Sequence, residues 1–150
     1  MSCVDKTLKT YLAGKMGGLT LAQMNDWRVL LKNRLNVAAE NTGYKLTIIN
    51  PVDFYNFEEK RYQSDIEVQD FDLAHVATSD LIIVNLEGLS SNDGTKIELF
   101  EANYKRKIPV IAFGERGLYE DLHPWIKNSI TRVEDNPQDV VNYIRDFYMI

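Results

Sequence analysis

Leu81-Ile82-Ile83-Val84-Asn85-Leu86 is followed, after a short polar stretch, by Asn92-Asp93-Gly94-Thr95-Lys96-Ile97-Glu98-Leu99. The first segment is a continuous apolar run, the pattern of a strand buried on both faces, as in a parallel sheet. The second passes through a glycine turn into a helical pattern over 97–105, with Ile97, Leu99, Phe100, Ala102 and Tyr104 as its apolar positions. A glycine and the Glu98 carboxylate thus come to the carboxyl end of a strand, where open α/β sheets build their sites. Two readings of Glu98 stand here. Thr95-x-x-Glu98 has the spacing of a capping box and would then serve only the helix. Alternatively, Glu98 is a nucleophile toward a sugar carbon.

Outward from this segment, strands alternate with helices in both directions. Upstream, 8–13 reads as a strand closed by Gly14 and Gly17-Gly18. Thr20 is the N-cap of a helix whose apolar positions are Met24, Trp27, Leu30, Leu31, Leu35 and Ala38, stopped at Asn41-Thr42-Gly43. A second strand covers 44–49 and ends at Asn50-Pro51. Residues 52–63 have no clean period and read as a loop or short irregular helix, and 66–78 reads as a helix. Downstream, 108–113 is a fourth strand, 130–133 a short fifth, and Asn136-Pro137 opens a final helix. This alternation predicts right-handed βαβ units in one doubly wound, mostly parallel five-stranded α/β sheet. Its expected strand order is the flavodoxin-like 2-1-3-4-5, within a single domain over 1–150.

Composition narrows the partners. The 150 residues are 45% hydrophobic and 26% charged, an ordinary globular balance. A net charge of -5 argues against nucleic acid as a partner, because phosphate backbones are gripped by clustered Lys and Arg. The lone Cys3 cannot form an internal disulfide, and His75 and His123 lie too far apart in sequence to signal a zinc site. No apolar run reaches the ~20 residues of a membrane span, and the first nine residues lack the apolar core of a signal peptide. A cytoplasmic protein without membrane attachment is therefore expected.

In the predicted strand order, strands one and three are neighbours. Tyr11 and Gly14 then share one crevice with residues 92–98. Glycines at the end of strand one would let a ligand approach the backbone closely. Neither a Walker loop nor a dinucleotide fingerprint is present. The remaining candidates each have a plain alternative. Asp72 is also readable as a solvated residue in the acidic stretch 65–72, Asp80 as a turn residue, and His75 as a surface or half-buried helix residue. Trp125, in a predicted loop His123-Pro124-Trp125, is either core or a lid. Phe54, Tyr55, Phe57 and Tyr62 would stack on a base or form a satellite core or subunit contact.

Three pieces in order, Tyr11-Leu12-Ala13-Gly14, Asp72-Leu73-x-x-Val76-x-x-Ser79-Asp80, and Gly94-Thr95-x-x-Glu98-Leu99-x-x-Ala102 followed by Lys107-Ile108-Pro109-Val110-Ile111, give the chain a likeness to a known family. It resembles the nucleoside 2-deoxyribosyltransferase family over about four-fifths of its length, from Tyr11 to the 123–125 segment. The resemblance implies that Glu98 attacks the anomeric carbon of a 2-deoxyribosyl unit, that Tyr11 orients Glu98, and that Asp72 protonates the departing base. It implies substrate contacts from Gly14, Asp93, Gly94 and Thr95. Asn92 falls where relatives often carry an aspartate or another polar residue on a sugar hydroxyl, and Asn128 matches a residue lent to the neighbouring subunit's site. A deoxynucleoside and a free nucleobase are the implied partners, a homo-oligomer the implied assembly, and no cofactor or metal is called for.

A carboxylate that stabilises and then captures an oxocarbenium-like centre, beside a second carboxyl that protonates the leaving group, is the chemistry of retaining glycosidases. Two other functions remain open. One is hydrolysis of 2'-deoxynucleoside 5'-monophosphates, whose relatives carry serine and arginine in the loop after strand one. Here that loop is Lys15-Met16-Gly17-Gly18-Leu19-Thr20, leaving Lys15 or Arg28 to hold a phosphate. The other is a non-catalytic nucleotide-binding module.

Overall fold

Residues 6–55 and 59–150 are described by the computed structural model. Cys3 and Phe57 lie outside the described residues. The elements run β1 (Thr7–Ala13), α1 (Leu21–Thr42), β2 (Lys45–Ile49), α2 (Asp65–Ala77), β3 (Leu81–Asn85), α3 (Asp93–Leu99), β4 (Val110–Phe113), α4 (Arg116–Glu120), α5 (Pro124–Lys127), β5 (Arg132–Glu134) and α6 (Pro137–Phe147). All strand pairs are parallel, in the order β2-β1-β3-β4-β5. This is the predicted flavodoxin-like α/β sheet, with β1 and β3 adjacent at the switch point.

The two-residue period of the strands divides the core between the sheet's faces. Leu8 and Leu12 point with Ile83 and Ile111 toward Leu31 and Leu35 of α1 and Val140 and Ile144 of α6. Tyr11 and Ala13 point the other way, with Ile82 and Val84, toward Val76 of α2 and Leu99 of α3. Tyr11 pairs with Ile49 on one side and Ile82 on the other, so its ring rises from the middle of the sheet.

Helix ends follow local chemistry. Thr20 and Gln23 form a full capping box on α1, and Gly43, at φ 75°, ends it in the left-handed conformation that a β-carbon disfavours. Asn136 caps α6, with Pro137 in its first turn. Helix α3 starts earlier than the sequence pattern indicates. Its N-cap is Asn92, whose Oδ1 accepts the Thr95 N–H at 3.0 Å. Thr95 therefore lies inside the first turn, buried, and the Thr95-x-x-Glu98 capping box does not form. Glu98 is thereby released from helix-end duty.

Past Leu99 the chain continues as a π-helical turn, Phe100–Lys105. Ile108 N–H returns to the Ala102 carbonyl at 2.9 Å, which delays β4 to Val110. The segment expected as a loop at 123–125 is the start of α5: Pro124 opens it and His123 Nδ1 accepts the Trp125 N–H at 3.2 Å. Ile130 N–H completes the turn after α5 through the Lys127 carbonyl, so β5 begins two residues later than expected. Asp80 Oδ2 accepts the Lys9 N–H at 2.8 Å, a structural tie between β1 and the entry to β3. No helix among the described residues is long and apolar enough to cross a membrane.

Candidate active site

Three elements converge where α2 and α3 face each other over β1. Between the helices is a cleft of about 220 Å³, with Asp65, Gln69 and Asp72 on the α2 side and Gly94, Ile97 and Glu98 on the α3 side. Tyr11 of β1, 1% exposed, lies buried beside Glu98. Its hydroxyl bonds to the Glu98 carboxyl group and feels the charge of Asp72.

Glu98 as a residue is half-buried, but its Oε2 is covered and has no hydrogen-bond partner among the described residues. Burial pushes its carboxyl up to about 8. The hydrogen bond from Tyr11 opposes that rise, Asp72 adds to it and Arg28 opposes it. Asp72 is also raised by burial, against a hydrogen bond from Tyr55 and the charges of His75 and Arg28. Tyr55 Oη donates to Asp72 Oδ1 at 2.5 Å. Burial first, then Asp72, pushes the Tyr55 phenol well above its ordinary range, so it stays a donor at any working pH. The Asp72 charge thus adds to the rise at Glu98, and both carboxyl groups keep their protons to higher pH than free carboxylates do.

The remaining predicted residues divide. Gly94 lines the cleft, and Asn92 and Thr95 build the turn that presents it. Asp93 points to solvent, its side chain 94% exposed and 3.9 Å from Lys96. Gly14 is explained by packing on the other face: a β-carbon there would stand 2.7 Å from Trp27 Cζ2. The expected ligand approach at this glycine is thus replaced by an indole.

Asn128 does not reach the cleft. It lines a separate groove of about 330 Å³ with Phe100, Tyr104, Trp125 and Ser129. Trp125, 72% exposed, is neither core nor a lid on the cleft. Neither expected phosphate grip lines the cleft. Arg28 is fully buried and bonded to backbone carbonyls, and the Lys15 stem packs against Gly88.

Of the aromatic group after β2, Phe54 and Tyr55 pack on Phe71, with ring centroids 5.2 and 6.2 Å apart, and His75 stacks on Phe54 at 5.5 Å. Tyr55 belongs to the site through its hydroxyl, a role that base stacking did not anticipate.

Comparison with solved structures matches this architecture. The chain shares its fold with a 2-deoxyribosyltransferase. That enzyme, from Bacillus psychrosaccharolyticus, is 24% identical, with a TM-score of 0.60 over 90% of this chain and 91% of its own. A conserved protein from Enterococcus faecalis V583 superposes with a TM-score of 0.73 at 19% identity, over 93% of this chain and 98% of that one. The CMP N-glycosidase BcmB of Clostridium botulinum gives 0.54 at 17% identity, again over 93% and 98%. No family model and no curated protein sequence matches the chain. The folds found are those that the sequence resemblance implies.

Proposed function

We propose that this protein cleaves the N-glycosidic bond of a 2-deoxynucleoside and passes the sugar, through a covalent ester on Glu98, to a second nucleobase. The observation that carries this reading is the pairing of a covered, unpartnered Glu98 Oε2 with a second carboxyl, Asp72, across one cleft. Glu98 attacks the anomeric carbon as the bond to the base breaks. The bond's electron pair leaves with the base nitrogen, which takes the proton from Asp72. An incoming base then attacks the same carbon, returns its proton to Asp72 and frees Glu98. The reactive form is the singly protonated pair with its proton on Asp72, so the rate falls both when the pair gains a second proton and when it loses its last. Tyr11 holds Glu98 through its hydroxyl, and Tyr55 holds Asp72 from outside through Oδ1.

The lining of the cleft supports a neutral substrate. Asp65, Asp72 and Glu98 contribute carboxyl groups there and, among the described residues, no basic side chain joins them, an unfavourable seat for a phosphate dianion. The likeness in fold to the 2-deoxyribosyltransferase supports transfer. Likeness to the CMP N-glycosidase supports a second reading, hydrolysis of a nucleoside monophosphate at the same carboxylate.

The deciding experiment incubates the protein with a deoxynucleoside, with and without a different free base, and resolves products by chromatography. A new deoxynucleoside that requires the acceptor base and is lost in Glu98→Ala is the expected result. Base release without transfer selects the hydrolase. Full activity in Glu98→Ala rejects the mechanism.

A further inference from the structure

Arg28 occupies the buried stripe of α1, in register with Met24, Leu31 and Leu35, and is fully buried. A guanidinium at an apolar position is costly unless an anion accompanies it, and a leucine would fill the same stripe without that cost. Among the described residues no carboxylate forms an ion pair with it. Its donors go to backbone carbonyls instead: Nε to Leu12 at 3.4 Å, Nη2 to Gly14 at 3.1 Å, and Nη1 to Met24. The guanidinium also lies 4.4 Å from the Trp27 ring centroid. The Leu12 and Gly14 carbonyls bracket Ala13, the last residue of β1, two positions beyond Tyr11.

We propose that Arg28 is a positioning residue of the Glu98–Asp72 site, locking the exit of β1 and supplying the fixed positive charge that balances the carboxyl pair. Its five donors in a rigid fork suit three diverging carbonyls, which one lysine ammonium cannot match in geometry. The negative or ionisable groups that feel its charge are Tyr11, Glu98 and Asp72. Burial lowers the Arg28 guanidinium to about 10, so it remains charged at neutral pH. A pair holding one proton carries a single negative charge, and Arg28 brings the interior of the site to neutrality. The groups that act on Glu98 are Tyr11 of β1, Asp72 of α2 and Arg28 of α1, and those that act on Asp72 include Tyr55 and His75.

The inference rests on Glu98 and Asp72 being the reactive pair, but its test needs no turnover. Protein labelled with carboxyl-13C glutamate is titrated by NMR, with the Glu98 signal assigned by its loss in Glu98→Gln. Arg28→Gln is expected to move the Glu98 midpoint upward by about one pH unit, a tenfold gain in proton affinity, for a charge acting at an effective dielectric of about 20. Arg28→Lys, which keeps the charge, is expected to leave the midpoint within about 0.3 of wild type.

A folded Arg28→Gln that titrates like wild type overturns the proposal, as does an Arg28→Lys that shifts as far as Arg28→Gln. If Arg28→Gln does not fold, the lysine variant decides alone: an unmoved midpoint supports the charge role and a full-unit shift refutes it. Lack of turnover on any nucleoside would sink the proposed function while leaving these midpoints to decide the role of Arg28.

Discussion

Replacing Glu98 by glutamine should make the protein more stable at alkaline pH while removing its reactive group. In the unfolded chain Glu98 ionises at its ordinary value of 4.5, whereas the folded site holds its carboxyl up to about 8. Below pH 4.5 both states carry the proton and nothing is lost. Between the two values the unfolded state releases its proton and the folded state does not, so stability falls as pH rises, and it levels off above 8. The full difference is about 5 kcal/mol at 1.36 kcal/mol per pH unit. Glutamine removes that penalty but leaves an amide donor with little to bond, a cost of about 1–3 kcal/mol. The net gain above pH 8 is about 2–4 kcal/mol, or roughly 4–16 °C in melting temperature at about 2–4 °C per kcal/mol. Circular-dichroism melts of wild type and Glu98→Gln from pH 4 to 9 test this. The gap should open between pH 4.5 and 8 and then hold. A gap independent of pH, or a glutamine variant less stable at pH 8, refutes the account of a buried, charge-averse carboxyl.

Tyr55→Phe deletes the donor that stabilises ionised Asp72, so Asp72 takes up its proton at higher pH. The acid limb of the rate profile should move upward by about 0.5–1 pH unit, measured as log kcat/KM against pH. Gly14→Ala drives a β-carbon to 2.7 Å from Trp27 Cζ2, and an overpacked contact of that kind should cost about 1–3 kcal/mol in denaturant titration, with a change in tryptophan fluorescence. Asn92→Ala removes the α3 N-cap and should cost about 1 kcal/mol, while Asn92→Ser should restore most of it.

The sheet was legible because its signals are local and redundant. The apolar run of β3, the stops at Gly43 and Asn136-Pro137, and the strict alternation of strand and helix all favour one topology. The pairing of Tyr11 with Glu98 follows from that topology, since β1 and β3 must be neighbours. Element edges were less legible where side chains bond back to the main chain. Asn92 competes with Thr95 for the same N-cap, and only the folded turn decides between them. His123 caps a helix whose four residues are too few to show a period. Gly14 carries no mark of which face needs its missing β-carbon.

Arg28 had a visible signal, a charge in register with the apolar Met24, Leu31 and Leu35 of the same helix. Tyr55 had none, because its contact with Asp72 joins an aperiodic stretch to a helix 17 residues away. Asn128, which the resemblance assigns to a neighbouring subunit's site, lines a groove apart from the cleft of its own chain.

Transfer by this mechanism requires Glu98 to carry the sugar between bases. Its most direct test is intact-protein and peptide mass spectrometry after rapid acid quench of the protein mixed with a deoxynucleoside and no acceptor. One added 2-deoxyribosyl unit is expected on the peptide that contains Glu98, absent in Glu98→Gln and discharged by adding a free base. Base release with no adduct, or an adduct on another residue, would contradict it.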